Sequence, residues 1–221
     1  MKKEAMIATL ESVKKNGVTL ENYNALQALI DDLQAEIRKE NNKRSGAANV
    51  EKAANNIIKG VKKNDPSRIS LHGAWIGKNG RQYVCDGFRA LEIHNPIELE
   101  KIPEKAQQLD IEKLFARPDH AERFELPTAA ELKSMIAEAK ADAKIKCIKK
   151  YTVVYACENG PVINADYLMD AIIATGARYL EGTKGTKGKY TSACFLASND
   201  CTAIVCPVNR PVQEIAKCYI A

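Results

Sequence analysis

The segment that most constrains the fold is Arg68 to Leu91, RISLHGAWIGKNGRQYVCDGFRAL, where strand formers and turn formers follow one another at short intervals. Ile69, Leu71 and Gly73 alternate with polar or small neighbours, the period-2 pattern of a half-buried strand. Lys78-Asn79-Gly80 is a hairpin signal, because Asn and Gly tolerate the positive φ of tight turns. Gln82-Tyr83-Val84-Cys85 resumes the strand. Three short strands are therefore expected, closed by Asp86-Gly87-Phe88-Arg89. In that corner glycine permits the turn, and the flanking Asp and Arg can bond each other or the turn amides.

Helices surround this segment. Met6, Leu10 and Val13, spaced by four and three, mark a first helix stopped at Asn16-Gly17. Thr19 caps a second, whose Tyr23, Leu26, Ile30, Leu33 and Ile37 follow a heptad seam. Two readings stay open for this pair: helices zipped to each other or to the core, or a self-association or partner-docking seam through residues 19–40. The polar run 41–46 reads as a linker. A helical hairpin over residues 1–45 and one α+β domain over 46–221 are expected. Residues 47–63 return to helix, with Val50, Ala54, Ile57, Ile58 and Val61 on one face. Lys52, Lys59, Lys62 and Lys63 crowd its far end, where the helix dipole alone favours cations.

The proline- and charge-rich stretch His94–Arg123 reads as a long crossing connection. Thr128 and Glu131 form a capping box ahead of a helix presenting Leu132, Met135, Ile136 and Ala139. Tyr151–Cys157 is rich in β formers, Asn164 caps a helix that Gly176 ends, and strands are expected over Tyr190–Ala197 and Thr202–Val208. This order predicts an α+β fold of antiparallel sheets with helices on one face.

Two patches of the chain resemble the bacterial DNA sliding clamp, the processivity subunit of the replicative DNA polymerase. Leu71-His72-Gly73-Ala74 and Val84-Cys85-Asp86-Gly87-Phe88-Arg89-Ala90-Leu91 are similar to the family's Leu-x-Gly-Val strand and its Ala-Thr-Asp-Gly-x-Arg-Leu strand end. Asn164-Ala165-Asp166-Tyr167-Leu168 resembles the Asn-x-x-Tyr-Leu opening of the clamp's final helix. Ala203-Ile204-Val205-Cys206-Pro207-Val208 resembles its last strand, which ends Val-Met-Pro-Val. The resemblance covers residues 47 to 210. It implies a shortened, DNA-clamp-like fold and a non-catalytic accessory role in DNA replication or repair. It also implies a groove for short peptides of replication proteins. Cys85, Gly87, Phe88 and Arg89 would form one side, and Val205, Cys206, Pro207 and Val208 the other, with Arg89 at the rim. Ala90 stands where the family has leucine and Cys206 where methionine is common, which implies a shallower or differently selective groove. A self-assembling clamp that encircles DNA, and a structural or regulatory oligomer without clamp binding, are the alternative readings.

The totals exclude other classes. A chain of 221 residues can bury an ordinary core, and 45% apolar with 28% charged residues suits a globular protein. No run approaches the ~20 apolar residues of a membrane span. MKKEAMIATLE lacks a signal peptide's apolar core, so a cytoplasmic location is expected. The seven cysteines include no Cys-x-x-Cys pair, and His72, His94 and His120 all precede Cys147. Reduced structural thiols are expected, with no metal and no cofactor. Gly182-Thr183-Lys184-Gly185-Thr186-Lys187-Gly188-Lys189 fails the phosphate-loop spacing and is followed by Tyr190. No nucleophile elbow or paired acid–base set emerges, so the chain is not expected to be an enzyme. A net charge of +5 permits weak, non-specific DNA contact, for which Lys59, Lys62, Lys63, Lys184, Lys187 and Lys189 are the candidates.

Overall fold

The structure, a computed structural model, describes residues 3–44, 47–147, 152–184, 190, 192–208 and 217–220. The chain divides into two compact units, Met1–Ala48 and Asn49–Ala221. The first holds α1 (Lys3–Lys15) and α2 (Leu20–Arg44), joined through Gly17 at φ +85°. Lys3 ion-pairs with Glu36 and Glu40, and Lys14 lies 4.2 Å over the Tyr23 ring, so α1 and α2 run zipped together. Within the expected seam Ile30 is buried and Leu26, Leu33 and Ile37 are half-buried, but Tyr23 is exposed.

The second unit begins with α3 (Ala48–Asn64), whose buried Val50, Ala54, Ile57, Ile58 and Val61 are the apolar face read from spacing. Then follow β1 (Trp75–Ile76), β2 (Gln82–Cys85), β3 (Arg89–Ile93), β4 (Glu122–Glu125), α4 (Ala129–Ile145), β5 (Val153–Ala156) and β6 (Val162–Asn164). The remainder is α5 (Ala165–Thr175), β7 (Tyr179–Gly182), β8 (Cys194–Ala197), β9 (Cys201–Val205) and β10 (Lys217–Ile220). One sheet has the antiparallel order β1-β2-β3-β9-β8-β7-β4. A smaller sheet is ordered β10-β5-β6, and its β10–β5 pairing is parallel, a departure from wholly antiparallel sheets.

Alternation along the strands separates two cores. Leu91, Ile93, Cys201, Ala203, Val205, Cys194 and Leu196 join α3, α4 and α5 in the larger cluster. Ala90, Ile204 and Phe195 point the other way, as period 2 requires, into a cluster with Leu71, Trp75, Tyr83, Ile111 and Phe115. The helices thus cover one face, and β3 and β9 are buried on both.

Two expectations are corrected here. Ile69–Leu71 is a 3-10 turn, not a strand. The chain leaves α3 through Asp65-Pro66-Ser67, where Arg68 N donates to Asp65 O and Leu71 N to Arg68 O, and this tight turning drops Leu71 into the second core. The 94–123 connection does more than cross, because it seats Ile111 and Phe115 on the second sheet face and ends in edge strand β4. Gly73 belongs to the same layer. A Cβ there would overlap the Lys101 backbone, which runs against Ala74 through Ala74 N to Glu100 O (2.7 Å) and Ile102 N to Ala74 O (3.1 Å).

Local signals end the helices as expected. Thr128 Oγ1 accepts from Glu131 N (3.2 Å) while Thr128 N donates to Glu131 Oε2 (2.8 Å). Asn164 Oδ1 accepts from Asp166 N and Tyr167 N, and Gly176 closes α5 at φ +63°. Thr128→Ala should therefore cost about 1 kcal/mol, the usual worth of an N-cap. Leu168→Ala in the fully buried core should cost about 2–5 kcal/mol. Urea unfolding of both variants checks the contrast; equal effects would mean that the cap carries more than its local bond.

Candidate functional site

The β2–β3 corner is built around one aspartate. Asp86 Oδ1 accepts from Phe88 N (2.8 Å) and Arg89 N (2.9 Å), and Asp86 N donates to Arg89 O (3.1 Å). Gly87 sits at φ +93°, which a side chain rarely adopts, and a Cβ there would meet the Arg68 guanidinium at 3.0 Å. The turn leaves Phe88 pointing outward, 59% exposed, and Arg89 pointing inward, 8% exposed.

Arg89 is enclosed by matched groups. Its Nε donates to Asp86 Oδ2 at 2.9 Å, its Nη1 to Asp170 Oδ2 of α5, and its guanidinium lies 4.3 Å over the Tyr167 ring. Asp170 Oδ1 also accepts from Asn56 Nδ2 of α3 at 2.7 Å. Burial pushes the Asp170 carboxyl up, against the opposing pull of Asn56 and Arg89. Burial likewise raises Tyr167, and the Asp86 carboxylate adds to it.

The expected groove residues therefore divide. Cys85 packs in the second core and Val205 in the first, so neither side chain reaches an open surface. Arg89 is not at a rim, because two carboxylates draw it beneath the corner. Gly87, Phe88 and Cys206 are exposed, and Pro207 and Val208 half-buried. These meet through the backbone: Arg89 pairs with Val205, and Cys206 N donates to Phe88 O at 2.8 Å. Val208 N then donates to Val162 O (2.7 Å), carrying the chain from the large sheet to β6. The Phe88 and Tyr167 rings stack with centroids 6.5 Å apart. The corner thus presents the Phe88 ring stacked on Tyr167, beside a strand extension that carries Pro207 and Val208. Partial burial of its sulfur and the nearby Asp86 carboxylate raise the Cys206 thiol, which disfavours a reactive thiolate.

Tyr167 and Asp170 went unassigned in the sequence, although the Asn164 cap and an i, i+3 spacing place both on one side of α5. The candidate DNA lysines scatter. Lys62 ion-pairs with Glu100, and Lys184 bonds Glu122 Oε1 at 3.0 Å and overlies Tyr190. Lys63 is exposed, Lys59 borders a cleft of the helical face, and Lys187 and Lys189 lie outside the described residues. Among the described residues no His, Cys, Asp or Glu group could hold a metal ion, and no helix is long and apolar enough to cross a membrane.

The sequence matches no protein-family model and no curated protein. Among solved structures, the chain is similar to the DNA polymerase III beta subunit of Thermotoga maritima, with TM-score 0.44 and 13% identity over 72% of this chain and 64% of that one. It is also similar to the DNA polymerase sliding clamp of Pseudomonas aeruginosa, with TM-score 0.40 and 10% identity over 72% and 65%. A third is the Helicobacter pylori beta clamp bound to a DNA ligase peptide, with TM-score 0.33 and 12% identity over 59% and 41%. The chain thus spans less than two thirds of the length of these clamps.

Arg89→Ala should destabilise the second unit by about 3–5 kcal/mol at neutral pH, because it strands a buried carboxylate at Asp170. The folded-state pKa of Asp170, already raised, rises further in this variant. The native state then holds the extra proton, so the deficit against wild type should shrink as pH falls through that raised pKa toward the unfolded carboxylate value. Thermal melts across pH, with Arg89→Ala/Asp170→Asn as the rescue, measure this. A deficit independent of pH would mean that lost packing, not the stranded charge, sets the cost.

Proposed function

We propose that this protein is a non-catalytic accessory of DNA replication or repair that captures short peptides of replication proteins at the corner where β3 meets the end of β9. The observation that supports this most is Phe88. A large aromatic side chain stands 59% exposed on a turn whose backbone is tied by Asp86, whose neighbour Arg89 is locked by two carboxylates, and whose partner ring is Tyr167. Peptide grooves take their affinity from one or two buried anchors, with the remaining contacts nearly neutral. Phe88, backed by the stacked Tyr167 ring, offers an exposed apolar ring, and Pro207 and Val208 supply further apolar side chains on the adjoining strand extension. Because the corner is held before any ligand arrives, little ordering cost falls on binding. The motif resemblance to sliding clamps implies a peptide groove near these two pieces of chain, and that expectation supports the reading.

DNA contact is secondary in this proposal. With Lys62 and Lys184 engaged by carboxylates, the remaining cations support weak, salt-sensitive attraction to phosphates rather than base reading. Self-association through residues 19–40 is a further proposal, and it bears on the encircling-clamp alternative.

Phe88→Ala should weaken capture of a fluorescent clamp-binding peptide about 30-fold, the ~2 kcal/mol of an anchor side chain, without shifting Tm. Val208→Arg should abolish capture and leave the fold intact, since a long cationic side chain at a groove mouth can reach water. Fluorescence polarisation with light scattering reads both affinity and particle mass. No wild-type affinity at high micromolar peptide would remove the groove and favour the regulatory-oligomer reading. A closed multimer that retains circular DNA would favour the encircling clamp.

A further inference from the structure

The face formed by α3, α4 and α5 holds a cleft of about 490 Å³. Its rim carries four exposed lysines, Lys52 and Lys59 from α3 and Lys133 and Lys140 from α4, and its floor is Ile136, Met169 and Ile173. The members of each lysine pair are seven residues apart, which is about two helical turns or ~10.5 Å along one side of a helix. Two acids share the cleft, and both are matched. Asp166 holds Lys140 at 3.0 Å, while Asp170 is engaged by Arg89 and Asn56. Among the described residues no ion pair engages Lys52, Lys59 or Lys133.

Three ammonium groups without counter-charges therefore surround one concavity. Their mutual repulsion is relieved when an anion enters, and the clustered positive potential draws anions to the site. The volume falls within the roughly 300–1,000 Å³ of small-molecule pockets, and the floor is apolar, as such pockets usually are. Lysines act as point charges without the fixed fork of arginine, so the rim suits phosphoryl groups free to settle among several ammoniums.

We propose that the cleft is a binding site for a compact polyphosphorylated small molecule of nucleotide size, a nucleoside di- or triphosphate. The phosphates lie among Lys52, Lys59 and Lys133, and the ring system rests on Ile136, Met169 and Ile173. Asn56, whose amide also bonds Asp170, stands at the boundary between phosphate and ring. The cleft shares no lining residue with the Phe88 corner, although Asp170 links the two through Arg89, so ATP binding and peptide capture are read by separate assays.

Calorimetric titration of the full chain with ATP, at low ionic strength and without divalent cation, tests this. Saturable one-to-one binding is expected, with inorganic pyrophosphate binding more weakly because it lacks the ring. The double variant Lys52→Glu/Lys133→Glu should lose at least tenfold in ATP affinity. Lys63→Glu, a charge change on the same helix outside the cleft, should lose less than twofold. Both variants alter exposed side chains, and an unchanged Tm confirms folding. Amide NMR shifts confined to α3, α4 and α5 around Asn56 and Asp170 would place the ligand. The proposal is overturned by any of three outcomes: no saturable ATP binding, equal loss in both variants, or affinity shown only by oligonucleotides and growing with their length. The last would identify an extended phosphate-contact surface.

Discussion

The buried guanidinium of Arg89 is the constraint on which the rest of the second unit depends. A cation removed from water must be met on several sides, or the fold that buries it is lost. Here the counter-charges come from separate parts of the chain: Asp86 from the same turn and Asp170 from α5, with the Tyr167 face beneath. Asn56 then ties α3 to the second oxygen set of Asp170. Satisfying one side chain thus sets the position of the β2–β3 corner against α5, and of α5 against α3. The ionic contact adds little net stability, since desolvation opposes the attraction. Its effect is on specificity, because an α5 shifted by one turn would leave the charges unmatched.

A second polar set faces the opposite side of the same strand. Glu92, three residues after Arg89, accepts from Tyr83 Oη and from Arg81 Nη1, both at 2.7 Å. Burial and Glu92 together push the Tyr83 hydroxyl up to about 12, so it remains a proton donor at every physiological pH. β3 therefore carries one buried charge toward the helices and one toward the 94–123 layer, each with partners. Such pairing on both faces fixes register, because a one-residue slip would exchange the two charges and strand both. The adjacent β9 needs no such device, being apolar on the helix side and carrying Thr202 and Ile204 on the other.

What could be read from the sequence follows the range of the interactions involved. The Thr128–Glu131 box, the Asn164 cap and the Gly176 stop each join residues within a few positions, and each is present in the structure. The α+β order and the strands β2, β5, β8 and β9 followed from period and turn signals, whereas β3 was hidden behind the corner expected to close the segment. The 3-10 turn at Ile69–Leu71 did not, because alternation over three residues is also produced by a turn that buries only its last member. β4 and β6 are short and lie at sheet edges, so their patterns carry little signal. Arg89 looked like a rim residue because its decisive partner, Asp170, is 81 positions away. The lysine cleft was half visible: the seven-residue spacing is in the sequence, but the concavity that α3, α4 and α5 line together is a tertiary fact.

Phe88 shows why the corner takes this form. Leaving such a ring in water forgoes roughly 1.5–3 kcal/mol of burial free energy, which the fold must make up elsewhere. A flexible turn would let the ring collapse onto the sheet and recover part of it. This turn cannot collapse, because Asp86 holds the amides of Phe88 and Arg89 together and Gly87 allows the φ that the geometry needs. The stacked Tyr167 ring and the Cys206 N to Phe88 O bond hold it from the other side. The burial free energy of the ring therefore stays unrealised in the folded chain. The inward ion pair and the outward aromatic are thus one device, with the buried charge keeping the exposed ring in place.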